Sequence, residues 1–214
     1  YHLSGYVRAF NLHGDGEPLL FYGESGALRG INVVMKRDIA RDDRFAGKIP
    51  DNTYFDLATP YGYGGWLFEG EGNREEIFSD YNSWCVLNGI ISEFVRFHPI
   101  LKNDTDSESI YEVIRLGHTV AIDLDSPENI WARFTSQNRN KIKKAKNFGL
   151  ECRHGLSEEL FATFKTIYES TMDGDNAIPY YYFKDEFYQS ILTDLKDNAE
   201  IFYIVDREEI ISAS

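Results

Sequence analysis

The segment Asp56-Leu-Ala-Thr-Pro-Tyr-Gly-Tyr-Gly-Gly-Trp66 alternates glycines with aromatic rings. Glycine lets a backbone turn sharply and approach a ligand closely. Tyr61, Tyr63 and Trp66 add flat rings with polar tips. Together with Gly64 they read as a substrate clamp, set against the plainer reading of a bent strand stiffened by ring packing. A second group is Glu93-Phe-Val-Arg-Phe-His-Pro99. Alternation puts Glu93, Val95 and Phe97 on one face and Phe94, Arg96 and His98 on the other. Arg96 could grip a carboxylate or phosphate by its planar fork, and His98 could titrate near neutral pH. The plainer alternative pairs Arg96 with a structural carboxylate and lets His98 cap a turn before Pro99.

A third group lies on a helix expected from Ser126 to Phe148, with Ser126 as N-cap and Pro127 in its first turn. Ile130, Trp131, Phe134, Ile142, Ala145 and Phe148 fall on one arc, and the cations lie largely off it. Six cations (Arg133, Arg139, Lys141, Lys143, Lys144, Lys146) face one acid, Glu128, so the segment carries +5 and the rest of the chain −18. Arg139 and Lys143 are one turn apart and could hold one phosphate together. The alternative is a solvated face paired with acidic neighbours. Pro179-Tyr-Tyr-Tyr-Phe183 reads better as the docking of a helix start than as a pocket wall. No G-x-x-x-x-G-K-[ST], H-E-x-x-H or G-x-S-x-G occurs, and the histidines lack metal-ligand spacing. Gly70-Glu-Gly-Asn73 mimics a phosphate cradle, but Glu69, Glu71, Glu75 and Glu76 would repel an anion. No catalytic residue is assigned.

These residues need a scaffold of mixed type. The chain has 214 residues and 15% aromatics, a globular composition rather than a disordered one. Its net charge of −13 disfavours nucleic acid and anionic lipid except at a local basic patch. Two distant cysteines, Cys85 and Cys152, suit reduced thiols and a cytoplasmic setting, and no run is long enough to cross a membrane. Strands are expected near residues 17–22, 27–36, 53–57, 90–97, 110–115, 118–124, 150–154, 199–205 and 209–213. Helices are expected at 73–88, 126–148, 157–172 and 182–195. The order predicts α/β structure of the α+β type with mixed sheets. The start on Tyr1 and the end at Ser214, after a strand-like run, suggest a fragment of a longer protein.

Three blocks taken together carry a resemblance: Tyr54-Phe-Asp-Leu-Ala-Thr-Pro-Tyr-Gly-Tyr-Gly-Gly65, Phe94-Val-Arg-Phe-His-Pro99, and Arg139-Asn-Lys-Ile-Lys-Lys-Ala145 with Gly149. In order and spacing they resemble the FemAB-like branch of the GNAT acyltransferase superfamily. The resemblance implies tandem GNAT-like lobes, residues 1–124 for the first and 125–214 for an incomplete second. It implies transfer of an acyl or aminoacyl group to an amine of a cell-wall or sugar precursor. The donor would be an acyl-CoA such as acetyl-CoA, or aminoacyl-tRNA, with no metal. The GNAT pyrophosphate loop Q/R-x-x-G-x-G/A is not present, so the donor stays open. The expected partner is an anionic, nucleotide-linked precursor; the acidic surround disfavours tRNA. A non-catalytic binding module on the same scaffold is the alternative.

Overall fold

A computed structural model describes residues 1–214. The chain divides into two compact units. One comprises Tyr1–Leu116 with Lys184–Ser190, the other Gly117–Phe183 with Ile191–Ser214.

The first unit opens with helix α1 (Ser4–His13), which ends on Gly14 in the left-handed region at φ 117°. Strands β1 (Glu17–Ser25) and β2 (Leu28–Asp38) form a long antiparallel hairpin, with Ser25 opposite Leu28 at the turn. Strand β3 (Phe55–Ala58) runs antiparallel to β2, and the short β4 (Leu67–Glu69) pairs with another stretch of β2. Helix α2 (Arg74–Leu87) crosses to β5 (Ile90–Phe94), which lies parallel to β3. A parallel pair needs such a crossover, because two strands running the same way cannot be joined by a tight turn.

Helix α2 starts where it does for local reasons. Asn73 caps it, its side chain accepting from the Glu75 N–H at 3.0 Å, and Glu75 and Glu76 favour the positive end of the dipole. Ser25 Oγ donates to Glu76 at 2.5 Å, tying the helix start to the β1–β2 turn. A Cβ on Gly72 would sit 2.0 Å from the Ser25 carbonyl oxygen, so this glycine serves chain packing rather than phosphate. The buried face of α2, with Ile77, Phe78 and Tyr81, meets Leu28, Val34, Leu57 and Trp66 in one core. Each such side chain contributes roughly 1.5–3 kcal/mol on leaving water.

In the second unit, α3 (Pro127–Arg133) and α4 (Ser136–Asn147) replace the single expected helix. Phe134 is extended at ψ 143°, and Thr135 caps α4 by accepting from the Asn138 N–H at 3.2 Å. The break overturns the continuous apolar arc, and Phe148 is left mostly exposed. Strand β6 (Glu151–Gly155) pairs antiparallel with β7 (Ile201–Asp206), which forms a hairpin with β8 (Glu209–Ala213). Helix α5 (Glu158–Gly174) is capped by Ser157 and packs on this sheet. Helix α6 (Asp185–Asp194) is divided, its residues up to Ser190 belonging to the first unit and those from Ile191 to the second. A short 3₁₀ turn, Pro179–Tyr181, precedes it, with Tyr182 bonded to Asp173 at 2.6 Å. The strands expected at 110–115 and 118–124 do not form. Their alternation is real, but no neighbouring strand supplies a ladder, so the segment stays irregular; Ile110 and Tyr111 pack on the core, while Ile114, Leu116, Val120, Ile122 and Leu124 lie exposed.

Candidate functional site

The β3 chain does not stop pairing at Ala58. The Thr59 N–H donates to the Phe94 carbonyl and the Gly64 N–H to the Arg96 carbonyl, both at 2.9 Å. Residues 60–63 therefore loop out of a parallel ladder and rejoin it. Thr59 Oγ1 bridges the gap by accepting from the Arg96 N–H at 3.0 Å. Gly62 is left-handed at φ 115°, and a Cβ there would meet the Tyr1 ring at 2.3 Å. Only glycine fits this turn against the N-terminal residues.

The excursion assembles rings. Tyr63 and His98 lie 5.2 Å apart between centroids, with Tyr1 at 5.7 Å from Tyr63 and 6.4 Å from His98. Tyr61 stacks on Phe10 of α1 at 5.8 Å, and the Tyr6 hydroxyl donates to the Tyr61 carbonyl. His98 Nδ1 accepts from the Ile100 and Leu101 N–H groups at 3.2 and 3.3 Å. Its neutral form thus carries the proton on Nε2. The turn-capping role is realised, and it leaves Nε2–H as a donor. The Arg96 side chain is exposed and makes no ion pair with a structural carboxylate. The loop thus brings Tyr61, Tyr63, Gly64, Arg96 and His98 into one neighbourhood.

Trp66 is a correction. It is 1% exposed, between Phe68, Phe78 and Tyr81, so its ring belongs to the core and offers no surface to a ligand. Arg139 is a second. Its Nη1 donates to the carbonyls of Trp131 (3.4 Å), Ala132 (3.2 Å) and Phe134, closing the C-terminal end of α3. That guanidinium nitrogen is occupied by backbone rather than offered with Lys143, which remains exposed. Arg133 pairs with Asp125 at 2.9 Å, the plain fate weighed for the basic stripe.

Two residues escaped the reading of the sequence. Asn103 is buried; its amide donates to the Gly64 carbonyl at 2.9 Å and the Trp66 carbonyl at 3.2 Å, and its oxygen accepts from the His98 N–H at 3.0 Å. It locks the far side of the loop. Beneath, Glu93 accepts from Tyr81 at 2.7 Å, Tyr111 at 2.8 Å and Asn32 at 3.2 Å. Burial pushes its carboxyl above the usual range, and the three hydrogen bonds oppose that rise. The same burial, with the Glu93 charge, drives both phenols far above theirs and the Cys85 thiol up to about 11. The signal was a glutamate sharing a strand face with Val95 and Phe97.

A separate groove of about 720 Å³ lies near the start of β3 and β5, lined by Lys36, Arg37, Asp38, Arg41, Asp56 and neighbours. Its charges are largely consumed: Arg37 holds Asp56 at 2.9 and 2.5 Å, and Arg41 lies 3.8 Å from Asp38. Lys36 rests 3.8 Å over the Phe55 ring.

Residues 108–206 match the model of the FemAB family. That part of the chain is similar to the FemAB family. The match spans just under half of the chain and includes the basic helix, while the loop at 59–66 and the Arg96–His98 strand end precede it. A comparison with curated proteins finds no significant match. No helix is long and apolar enough to cross a membrane.

Proposed function

We propose that this chain serves the transfer of an acyl or aminoacyl group from an activated donor to an amine of a cell-wall or sugar precursor, on a scaffold of two GNAT-like lobes. The observation that carries the reading is the FemAB match over residues 108–206. The ring-lined excursion at the ends of a parallel strand pair is the surface that would receive the acceptor.

In such a transfer the amine nitrogen attacks the acyl carbonyl, and the carbonyl oxygen gains negative charge. The leaving group departs as a CoA thiol or a tRNA hydroxyl, and the amine loses a proton. The main demand on protein is to align the two reactants and to place donors where charge develops. Tyr61 and Tyr63 offer ring faces and hydroxyls to the acceptor. His98 Nε2–H offers a neutral donor, and Arg96 offers a free fork for a carboxylate or phosphate. Lys143, with Lys141 and Lys144 on α4, gives a positive surface for a phosphorylated group. Arg139 contributes by holding α3 against α4, a positioning role that replaces a direct grip.

The donor is tested by titrating the protein with acetyl-CoA and with aminoacyl-tRNA at two salt concentrations. Saturable acetyl-CoA binding with shallow salt dependence supports the CoA branch. Binding of tRNA that falls steeply with salt supports the tRNA branch. Binding of neither, together with tight binding of a precursor and no turnover, returns the chain to a binding module.

A further inference from the structure

Glu93 stands apart from the surface just described, yet its partners touch it. Tyr81, which donates to Glu93 Oε2, packs edge-on against Trp66 at 5.3 Å. Tyr111, which donates to the same oxygen, packs edge-on against Phe97 at 5.7 Å. Trp66 closes the 59–66 loop, and Phe97 pairs with Gly64 in the bridge that ends it. Both rings that brace the loop from below are thus held by one carboxylate oxygen.

The surroundings of that carboxylate are unusual. β2 brings Asn32, 0% exposed, whose Nδ2 donates to Glu93 Oε1 while its Oδ1 has no partner. β3 sets the apolar Leu57 opposite Glu93. α2 brings Tyr81 and Cys85, and the segment after β5 brings Tyr111. No cation faces the group. A buried carboxylate without a cation depends wholly on neutral donors. The Asn32 amide can answer either charge state: it donates to the carboxylate as it stands and, flipped, accepts from the protonated acid.

We propose that Glu93 is a positioning residue for the 59–66 loop and that its ionisation state sets how Tyr81 and Tyr111 brace Trp66 and Phe97. The functional consequence rests on the loop being the acceptor surface; the brace itself does not. When the acid is ionised, both phenols make charge-assisted bonds to Oε2 and fix the two rings. When it is protonated those bonds weaken to neutral ones, and the loop relaxes. The raised affinity of Glu93 for its proton moves this change toward neutral pH.

The test uses Trp66 as its own reporter, in a protein carrying Trp84→Phe and Trp131→Phe. Its fluorescence should titrate with a midpoint above the ordinary glutamate value of about 4.3. Glu93→Gln should abolish the transition. Tyr111→Phe, which removes one donor to the carboxylate, should move the midpoint higher still, and decides the matter if the Gln variant does not fold. A midpoint at the ordinary value that Tyr111→Phe leaves in place, or a transition that persists in a folded Glu93→Gln protein, overturns the proposal. The expected titration in a protein that transfers no acyl group upholds the brace and removes the transferase reading instead.

Discussion

Trp66 and Glu93 both sit under the ring-lined loop, but they serve it in opposite ways. Trp66 is a packing anchor, and Trp66→Ala should cost about 3–5 kcal/mol by the usual cavity penalty, measured by denaturant unfolding. Glu93 should make stability depend on pH with the reverse of the usual acid sign. Its folded proton affinity is raised, so the unfolded chain releases the proton first as pH rises. The contribution of Glu93 is therefore fully present below the unfolded glutamate value and is lost as pH climbs through the higher folded value. Glu93→Gln should gain stability relative to the parent over that window and show a flatter profile; a parent that instead gains stability across the window relative to Gln would contradict the sign. Alanine at Asn103 should destabilise and loosen the loop together, because three partners lose their bond and two carbonyls, of Gly64 and Trp66, are left unpaired.

At the scale of elements, most of the fold was legible. α2 and α5 were visible from apolar spacing with a polar N-cap, and the β1–β2 and β7–β8 hairpins from alternation around turn residues. What failed did so for physical reasons. The helix at 126–148 broke because Thr135 satisfies a free N–H of α4 better than a continued helix would, and a Thr inside a helical pattern gave only a weak hint. α1 was passed over, although Tyr6 and Phe10 are four residues apart, as one helix face requires. The alternation at 118–124 signals strand capacity, but a strand exists only where another strand accepts its bonds. Trp66 looked like a ligand-facing ring because its neighbours are glycines, and sequence does not say which side of a loop faces the core. Arg139 is an element-scale residue: Arg139→Ala should lower helix content around α3 by circular dichroism, since it removes the donor to three carbonyls near that helix end. Unchanged helicity would return the guanidinium to a ligand role.

For the whole molecule, the decisive feature is division into two units; the first chain passage between them runs through residues that form no regular structure between Tyr111 and Ser126, and the later ones flank Lys184–Ser190. Limited trypsin digestion should cut first at Arg115, where backbone bonds are lacking, and leave the helices on either side protected. On the proposed reading the basic surface of α4, set in a chain of net charge −13, would take a small phosphorylated group in preference to a long polyanion.

The most direct test of the account is steady-state transfer by the protein with Tyr63→Ala and, separately, Arg96→Ala, each checked for folding by thermal melting. If Tyr63, Arg96 and His98 receive the acceptor, either change should lower kcat/KM for the amine at least tenfold, about 1.4 kcal/mol of lost transition-state binding. Wild-type kinetics in both folded variants would contradict the assignment of the 59–66 loop as the acceptor surface.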